Sequence, residues 1–171
     1  SMAGTVLHHI AKGNTVGFVE LTVGELGTRG SAEIREREAE ASRKVLGAAF
    51  RYQLGLPDGF FTADRATLER VITAIRRHKP KVLIINAVSD RHPDHGRAAS
   101  LVAEAAFLSG LRRIPTTHEG MDQEAWRPVT VLHAIQDFYI QPDLVVDITP
   151  YWPKKMEALY CFASQFHDPT S

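Results

Sequence analysis

The chain has 171 residues, 44% of them apolar and 23% charged, enough for one soluble globular domain with a core. Twenty basic residues balance twenty acidic ones, which excludes the strong field of a nucleic-acid or anionic-membrane binder. No apolar run approaches the roughly 20 residues of a membrane span, and a single cysteine, Cys161, excludes a disulfide framework and suits a reducing cytoplasm.

Strand and helix signals alternate along the chain. Residues 15–22 are rich in β formers and follow the turn pair Gly13-Asn14. A loop with Gly24, Gly27 and Gly30 comes next. Ser31 can cap the helix that follows, which carries Ile34, Ala41, Val45 and Leu46 near helical spacing and stops at Gly47. Residues 50–54 form a short strand, and Leu56-Pro57-Asp58-Gly59 a turn. The periodicity predicts a second amphipathic helix over 64–79, ended by Lys79-Pro80, because the residue before proline is pushed out of the helical region. Residues 81–86 read as a strand buried on both faces. A third helix carries Ala98, Leu101, Val102, Ala105 and Leu108, with Gly110 to close it. The polar stretch 112–127 reads as a long surface loop, 129–135 and 144–148 as strands, and 150–166 as a last helix with Cys161 in its core face. The N-terminus shows no basic region followed by an apolar core, so no signal peptide is read.

This alternation predicts an α/β fold: a Rossmann-like three-layer sandwich with a mostly parallel sheet, as one domain over residues 1–171. In such sheets ligands bind beyond the carboxyl ends of the strands. Two polar segments emerge at such ends, after Thr22 and after Asn86.

The denser of the two is Asp90-Arg91-His92-Pro93-Asp94-His95, with two histidines, two carboxylates and an arginine in six positions. Imidazole and carboxylate together can hold a divalent metal and move protons near neutral pH, and a carboxylate beside an imidazole can fix its tautomer. A spacing of H-x-x-H alone is weak evidence; a strand end beside a helix N-terminus strengthens it. The bland alternative is that Asp90 or Asp94 caps the helix and the histidines are solvated. His8 and His9 are adjacent and point apart on a helix, His78 reads as solvated or as complementing a helix end, and His118, His133 and His167 are isolated. The second segment offers Glu25, Arg29 and Arg35 among glycines, donors and acceptors suited to a sugar-like substrate. It lacks the phosphate-loop pattern. Arg37, Glu38, Arg43 and Lys44 read as solvated charge pairs on the helix.

These segments resemble the PIG-L/LmbE superfamily of zinc-dependent de-N-acetylases. The resemblance runs through residues 21–30, Glu33-Ile34-Arg35 with Glu38-Ala39, residues 55–59, the hexapeptide, residues 108–112, Val146-Asp147-Ile148 and Ser164-Gln165-Phe166. Residues 109–113, Trp126-Arg127-Pro128 and Gln141-Pro142-Asp143 look most like the bacillithiol-biosynthesis branch, which deacetylates N-acetylglucosaminyl-malate. The resemblance implies a cytoplasmic hydrolase with one Zn2+ per complete site and a homohexameric assembly. It makes His95 a zinc ligand, and His92 the group that stabilises the oxyanion or protonates the leaving amine. It makes Asp94 the carboxylate that orients that histidine, and Arg35, with Glu25 and Arg29 nearby, the substrate-binding group.

The sequence departs from the family in lacking the opening strand and its A-H-P-D-D-x-E motif, which supplies two zinc ligands and the general base, and in lacking the C-terminal part. The expectation is therefore a domain incomplete at both ends, whose 171 residues alone bind zinc poorly and turn over little. Two alternatives stay open: deacetylation of another N-acetylglucosamine-containing compound, and a non-catalytic α/β ligand-binding module.

Overall fold

The computed structural model describes residues 2–166. The chain divides into two compact units, one taking the segments up to Asp58 and from Pro142 onward, the other Gly59–Gln141.

In the first unit, helix α1 (Ala3–Ala11) leads into strand β1 (Gly17–Glu20), helix α2 (Ala32–Leu46) and strand β2 (Phe50–Gln53). Strands β1 and β2 are parallel, with Gly17 opposite Phe50 and Glu20 opposite Gln53. Ser31 caps α2 by accepting the Ile34 N–H, and Gly47 ends it in the left-handed conformation at φ 75°, both as the sequence predicts. Helices α5 (Trp152–Tyr160) and α6 (Ala163–Phe166) complete the unit. Leu7, Leu46 and Ala158 form its core, with Phe18, Val45 and Tyr151 packed around them. Burying each large apolar side chain contributes about 1.5–3 kcal/mol.

The second unit carries helix α3 (Arg65–His78), strand β3 (Val82–Ile85), helix α4 (Pro93–Leu108), a hairpin of β4 (Thr117–His118) with β5 (Met121–Asp122), and strand β6 (Thr130–His133). Strands β3 and β6 are parallel, Val82 opposite Thr130 and Ile85 opposite His133. Asp64 caps α3 through the Thr67 N–H. Val71, Ile72 and Ile75 of α3 and Ala98, Leu101 and Ala105 of α4 are buried where the two helices pack. The α/β expectation with parallel pairing holds, in two-stranded sheets among the described strands.

Several local expectations are corrected. Residues 144–148 form no strand: Ile148 packs on Gly4 of α1, and Leu144 and Val145 stay exposed. The stretch 112–127 is no free loop. It holds the β4–β5 hairpin, turned by Glu119 and Gly120 at φ 52° and 77°, and it is tied down by long-range bonds. Strand β3 is not buried on both faces. Its one partner among the described strands is β6, and Val82 keeps 43% of its surface exposed. Gly110 is not a left-handed cap; Ser109 ends α4 with helical angles, and Gly110 instead leaves room for the Arg127 side chain. The last helix breaks between Tyr160 and Ala163, and Cys161 is half-buried, its thiol facing the Glu157 carbonyl at 3.5 Å. His78 is partly buried rather than solvated, and burial lowers its pKa, helped by Arg77 and His118. His167 lies outside the described residues.

Candidate functional site

The hexapeptide follows β3 into α4. The ends of β3 and β6 are joined beyond their ladder: Ala134 donates its N–H to the Ile85 carbonyl at 2.9 Å, and His133 Nδ1 lies 3.0 Å from the Asn86 carbonyl. Arg91 pairs with Asp137 at 3.4 Å in the loop after β6. The parallel register thus fixes where residues 86–92 begin.

Asp90 organises the turn. Its side chain keeps only 2% of its surface exposed. Oδ1 accepts the His92 N–H at 3.0 Å and lies 3.0 Å from His95 Nδ1, the latter at ion-pair distance rather than as an aligned hydrogen bond. Oδ2 is buried with no hydrogen-bond partner among the described residues. The His92 N–H and the His95 imidazole hold the Asp90 carboxyl below the usual carboxylate range.

His92, not Asp90 or Asp94, caps α4. Its backbone is extended, φ −86° and ψ 121°, and its Nδ1 accepts the Asp94 N–H at 3.3 Å. Pro93 suits the first helical position because its missing N–H would have no partner there. The His92 and His95 rings stack, centroids 5.0 Å apart and planes 29° from parallel. Asp94 is buried, 6% exposed. Its Oδ2 accepts the Gly59 N–H at 2.7 Å, and its Oδ1 accepts Arg97 Nη1 at 2.6 Å, while Arg97 also donates to the Gly59 carbonyl. Its carboxylate therefore anchors the Gly59 peptide rather than the His92 ring, which Asp94 meets through its backbone N–H.

Zinc needs three protein ligands in a catalytic site. His95, with Asp90 behind Nδ1 and Nε2 left over, has the arrangement of one metal-ligating histidine. The described residues contain no group of three histidines, cysteines or carboxylates able to hold a metal, so these residues alone do not fit a complete zinc site.

The other predicted residues belong to the first unit. Asp58 closes the loop after β1: it accepts the Leu26 N–H at 3.1 Å and the Thr22 hydroxyl at 3.4 Å, while Glu25 accepts the Asp58 N–H at 2.7 Å. Arg35 donates to Gln165 Oε1 at 2.8 Å, and its guanidinium lies against Gly24 and Gly27, where a Cβ on Gly27 would meet it at 1.8 Å. The Arg35 Nε is buried without a hydrogen-bond partner. Gln165 also donates to the Arg29 carbonyl at 3.1 Å. Glu38 is no solvated helix charge: it accepts both the Ser164 N–H and hydroxyl at 2.7 Å. Arg43 pairs instead with Glu40. Sequence reasoning reads Asp58 as a turn residue and Glu38 as a solvated charge and gives Gln165 no role of its own, although all three lie in the resembling segments. Apart from the bond of Gln165 to its neighbour Ser164, their partners are 32 to 136 residues away, a distance at which no local pattern signals a bond.

Comparison with known proteins places this geometry. The family model for GlcNAc-PI de-N-acetylase, PIG-L, matches residues 1–106. The chain is 28% identical over 178 residues to a probable N-acetyl-alpha-D-glucosaminyl L-malate deacetylase 2 of Bacillus anthracis, covering 96% of this chain and 75% of that protein. It is 27% identical over 180 residues to the 4-oxalmesaconate hydratase of Pseudomonas putida, covering 96% and 68%. A conserved protein of Thermus thermophilus superposes with a TM-score of 0.90 at 31% identity, over 97% of this chain and 73% of that one. The N,N'-diacetylchitobiose deacetylase of Pyrococcus horikoshii does so with a TM-score of 0.83 at 25% identity, over 98% and 66%.

Proposed function

The chain belongs to the PIG-L family of de-N-acetylases, and on that premise we propose that it serves a zinc-dependent hydrolase removing acetyl from an N-acetylglucosamine conjugate, N-acetylglucosaminyl-malate first. The observation that carries the reading is the stacked pair His92 and His95 with the buried Asp90 carboxylate behind it. Likeness to two deacetylases of N-acetylglucosamine compounds supports the substrate class.

Each residue has a task in that reading. His95 would hold the metal through Nε2; when bound, such an ion lowers the pKa of a water and polarises a carbonyl. His92 would serve the tetrahedral oxyanion or the departing amine through Nε2. Asp94 and Arg97 hold the Gly59 backbone in place. Arg35 and the Glu25–Arg29 loop would meet the sugar. A homo-oligomer, a hexamer by resemblance, also belongs to the proposal. Among the described residues no helix is long and apolar enough to cross a membrane.

The test is acetate release from N-acetylglucosaminyl-malate and from diacetylchitobiose by the protein in parental, His92→Ala and His95→Ala forms. His92→Ala is expected to lower turnover by about 10²- to 10⁴-fold with zinc retained, and His95→Ala to lose zinc. Parental rates in both variants would overturn the roles. The likeness to a hydratase supports a second reading, water addition to an unsaturated acid. Hydration of 4-oxalmesaconate without acetate release would establish that reading in place of the first.

A further inference from the structure

We propose that the β4–β5 hairpin is an acid-released latch, closed on the last turn of α3 while the His78 ring is neutral and opened when that ring takes a proton. The device does not depend on the deacetylase reading.

Two firm ties bound the hairpin. Before it, Arg76 of α3 donates to the Ile114 carbonyl and the Thr116 hydroxyl, each at 2.7 Å. After it, Trp126 donates its backbone N–H to the Ser109 carbonyl at 2.9 Å and its indole N–H to the Pro80 carbonyl at 2.8 Å. A guanidinium and an indole neither gain nor lose a proton near neutral pH, so these ties ignore mild acid. Between them the polar hold on α3 is weak. Gln123 donates Nε2 to the Thr73 carbonyl at 3.1 Å, while its Oε1 is buried with no hydrogen-bond partner among the described residues. One such bond contributes about 1 kcal/mol and one stranded oxygen costs about 1–3 kcal/mol, so the Gln123 amide does not hold the hairpin down. Lys79 lies 3.7 Å from Glu124 in an exposed ion pair, which contributes little. The closure also buries two imidazoles. Strand β4 packs on α3, and the Nε2 atoms of His78 and His118 are both shut off from water.

The surroundings of His78 oppose a proton. Burial does so most, then the Arg77 guanidinium on the same helix, then His118 across the interface. The carboxylates of the hairpin are engaged or turned to solvent. Glu119 lies 3.4 Å from His118 Nε2, Glu124 faces Lys79, and Asp122 is exposed. Arg112 and Arg113, before the hairpin, are exposed, as is Glu104, the one charged residue in the last two turns of α4. A proton on His78 therefore needs water, and water reaches the ring when the hairpin lifts. The closed form binds that proton less readily than the open one. Closure is thus complete above the ordinary imidazole value of about 6.5 and weakens as the pH falls through the lower value of the closed form.

Backbone amide exchange of the whole chain at about pH 7.5 and about pH 5.5, corrected for the intrinsic pH dependence of exchange, tests this on either side of the ordinary imidazole value. The opening constant of residues 117–123 is expected to rise by about threefold or more at the lower pH, with no such rise in α2. In His78→Gln, whose side chain takes no proton, the rise is expected to vanish. In His118→Gln it is expected to shrink and persist, because burial remains. An opening constant in the parent that is equal at the two pH values overturns the proposal, and that result needs no variant to fold. A rise of equal size in α2 also overturns it, as does a rise of parental size in His78→Gln. His78→Asn serves as the second neutral variant if His78→Gln does not fold.

Discussion

The loop after β1 and the turn before α4 are both polar and glycine- or proline-bearing, yet they are held in opposite ways. The turn closes mainly on itself: Asp90, His92 and His95 and the Asp94 N–H bond within six positions, while the Asp94 carboxylate and Arg91 reach out, to Gly59 and Asp137. The loop closes on distant chain: Leu26 is held by Asp58, Arg29 by Gln165, and Arg35 of α2 fills the space that Gly24 and Gly27 leave. The difference separates what a short pattern encodes by itself from what it only permits. A turn closed by neighbouring residues is set by its own sequence, whereas a loop closed from afar takes its shape when the rest of its unit folds.

If that contrast is right, cutting a long-range tie costs more stability than cutting a local one. The largest effect is expected at Arg76. This side chain, 2% exposed on α3, donates to the carbonyls of Ser109, Leu111 and Ile114 and to the Thr116 hydroxyl, and so fixes the chain between α4 and β4. Arg76→Met keeps the length but strands the Ile114 carbonyl and the Thr116 hydroxyl, while the Ser109 and Leu111 carbonyls keep the N–H groups of Trp126 and Ile114; at about 1–3 kcal/mol for each buried unpaired group, a loss of about 3 kcal/mol is expected in urea unfolding. A loss below about 0.5 kcal/mol, the range of an ordinary surface change, would break the comparison. The next effect is Asp58→Ala, which releases Leu26 N–H and the Thr22 hydroxyl in a half-exposed setting. A loss of about 1–2 kcal/mol is expected there, with amide exchange rising at Leu26 and not in the Asp90–His95 turn. Exchange rising equally in both segments would mean that the two are not separately closed.

Legibility in the sequence follows the same division. Ser31, Gly47 and Asp64 are readable as helix boundaries because a cap joins residues three or four positions apart. The hexapeptide is readable as a site for that reason, although which residue caps α4 is not: aspartate is the commoner cap, and here a histidine ring takes the position. The β4–β5 hairpin escapes a reading by pattern because Glu119-Gly120 is not a common turn pair and its strands are two residues long. Residues 144–148 have strand composition, but composition does not say whether a partner strand exists, and Ile148 is taken up by a helix at Gly4 instead. Glu38 reads as a surface charge because nothing within α2 distinguishes it from Glu36; Ser164, 126 residues away, makes the difference.

The smallest effect concerns a purely local tie and can be read against pH. Asp64 accepts the Thr67 N–H at 2.8 Å and the Thr62 hydroxyl at 2.7 Å, and these bonds, the Thr67 N–H first, hold its carboxyl below the ordinary carboxylate range. The folded state therefore binds the proton less readily than the unfolded one. The stabilisation from the charge is complete above the unfolded value of about 3.9 and disappears as the pH falls through the lower folded value. Asn at the same position still caps the helix but carries no charge to lose. Asp64→Asn should thus unfold at a slightly lower temperature than the parent at pH 7, and the gap should close as the pH is taken below about 4. Thermal midpoints measured across that range decide it. A gap that stays constant down to the acid limit would show that the charge contributes nothing and that the cap works as a neutral acceptor alone. Local closure at Asp64 would then be weaker still than the long-range ties at Arg76 and Asp58, and the contrast between the two kinds of closure sharper.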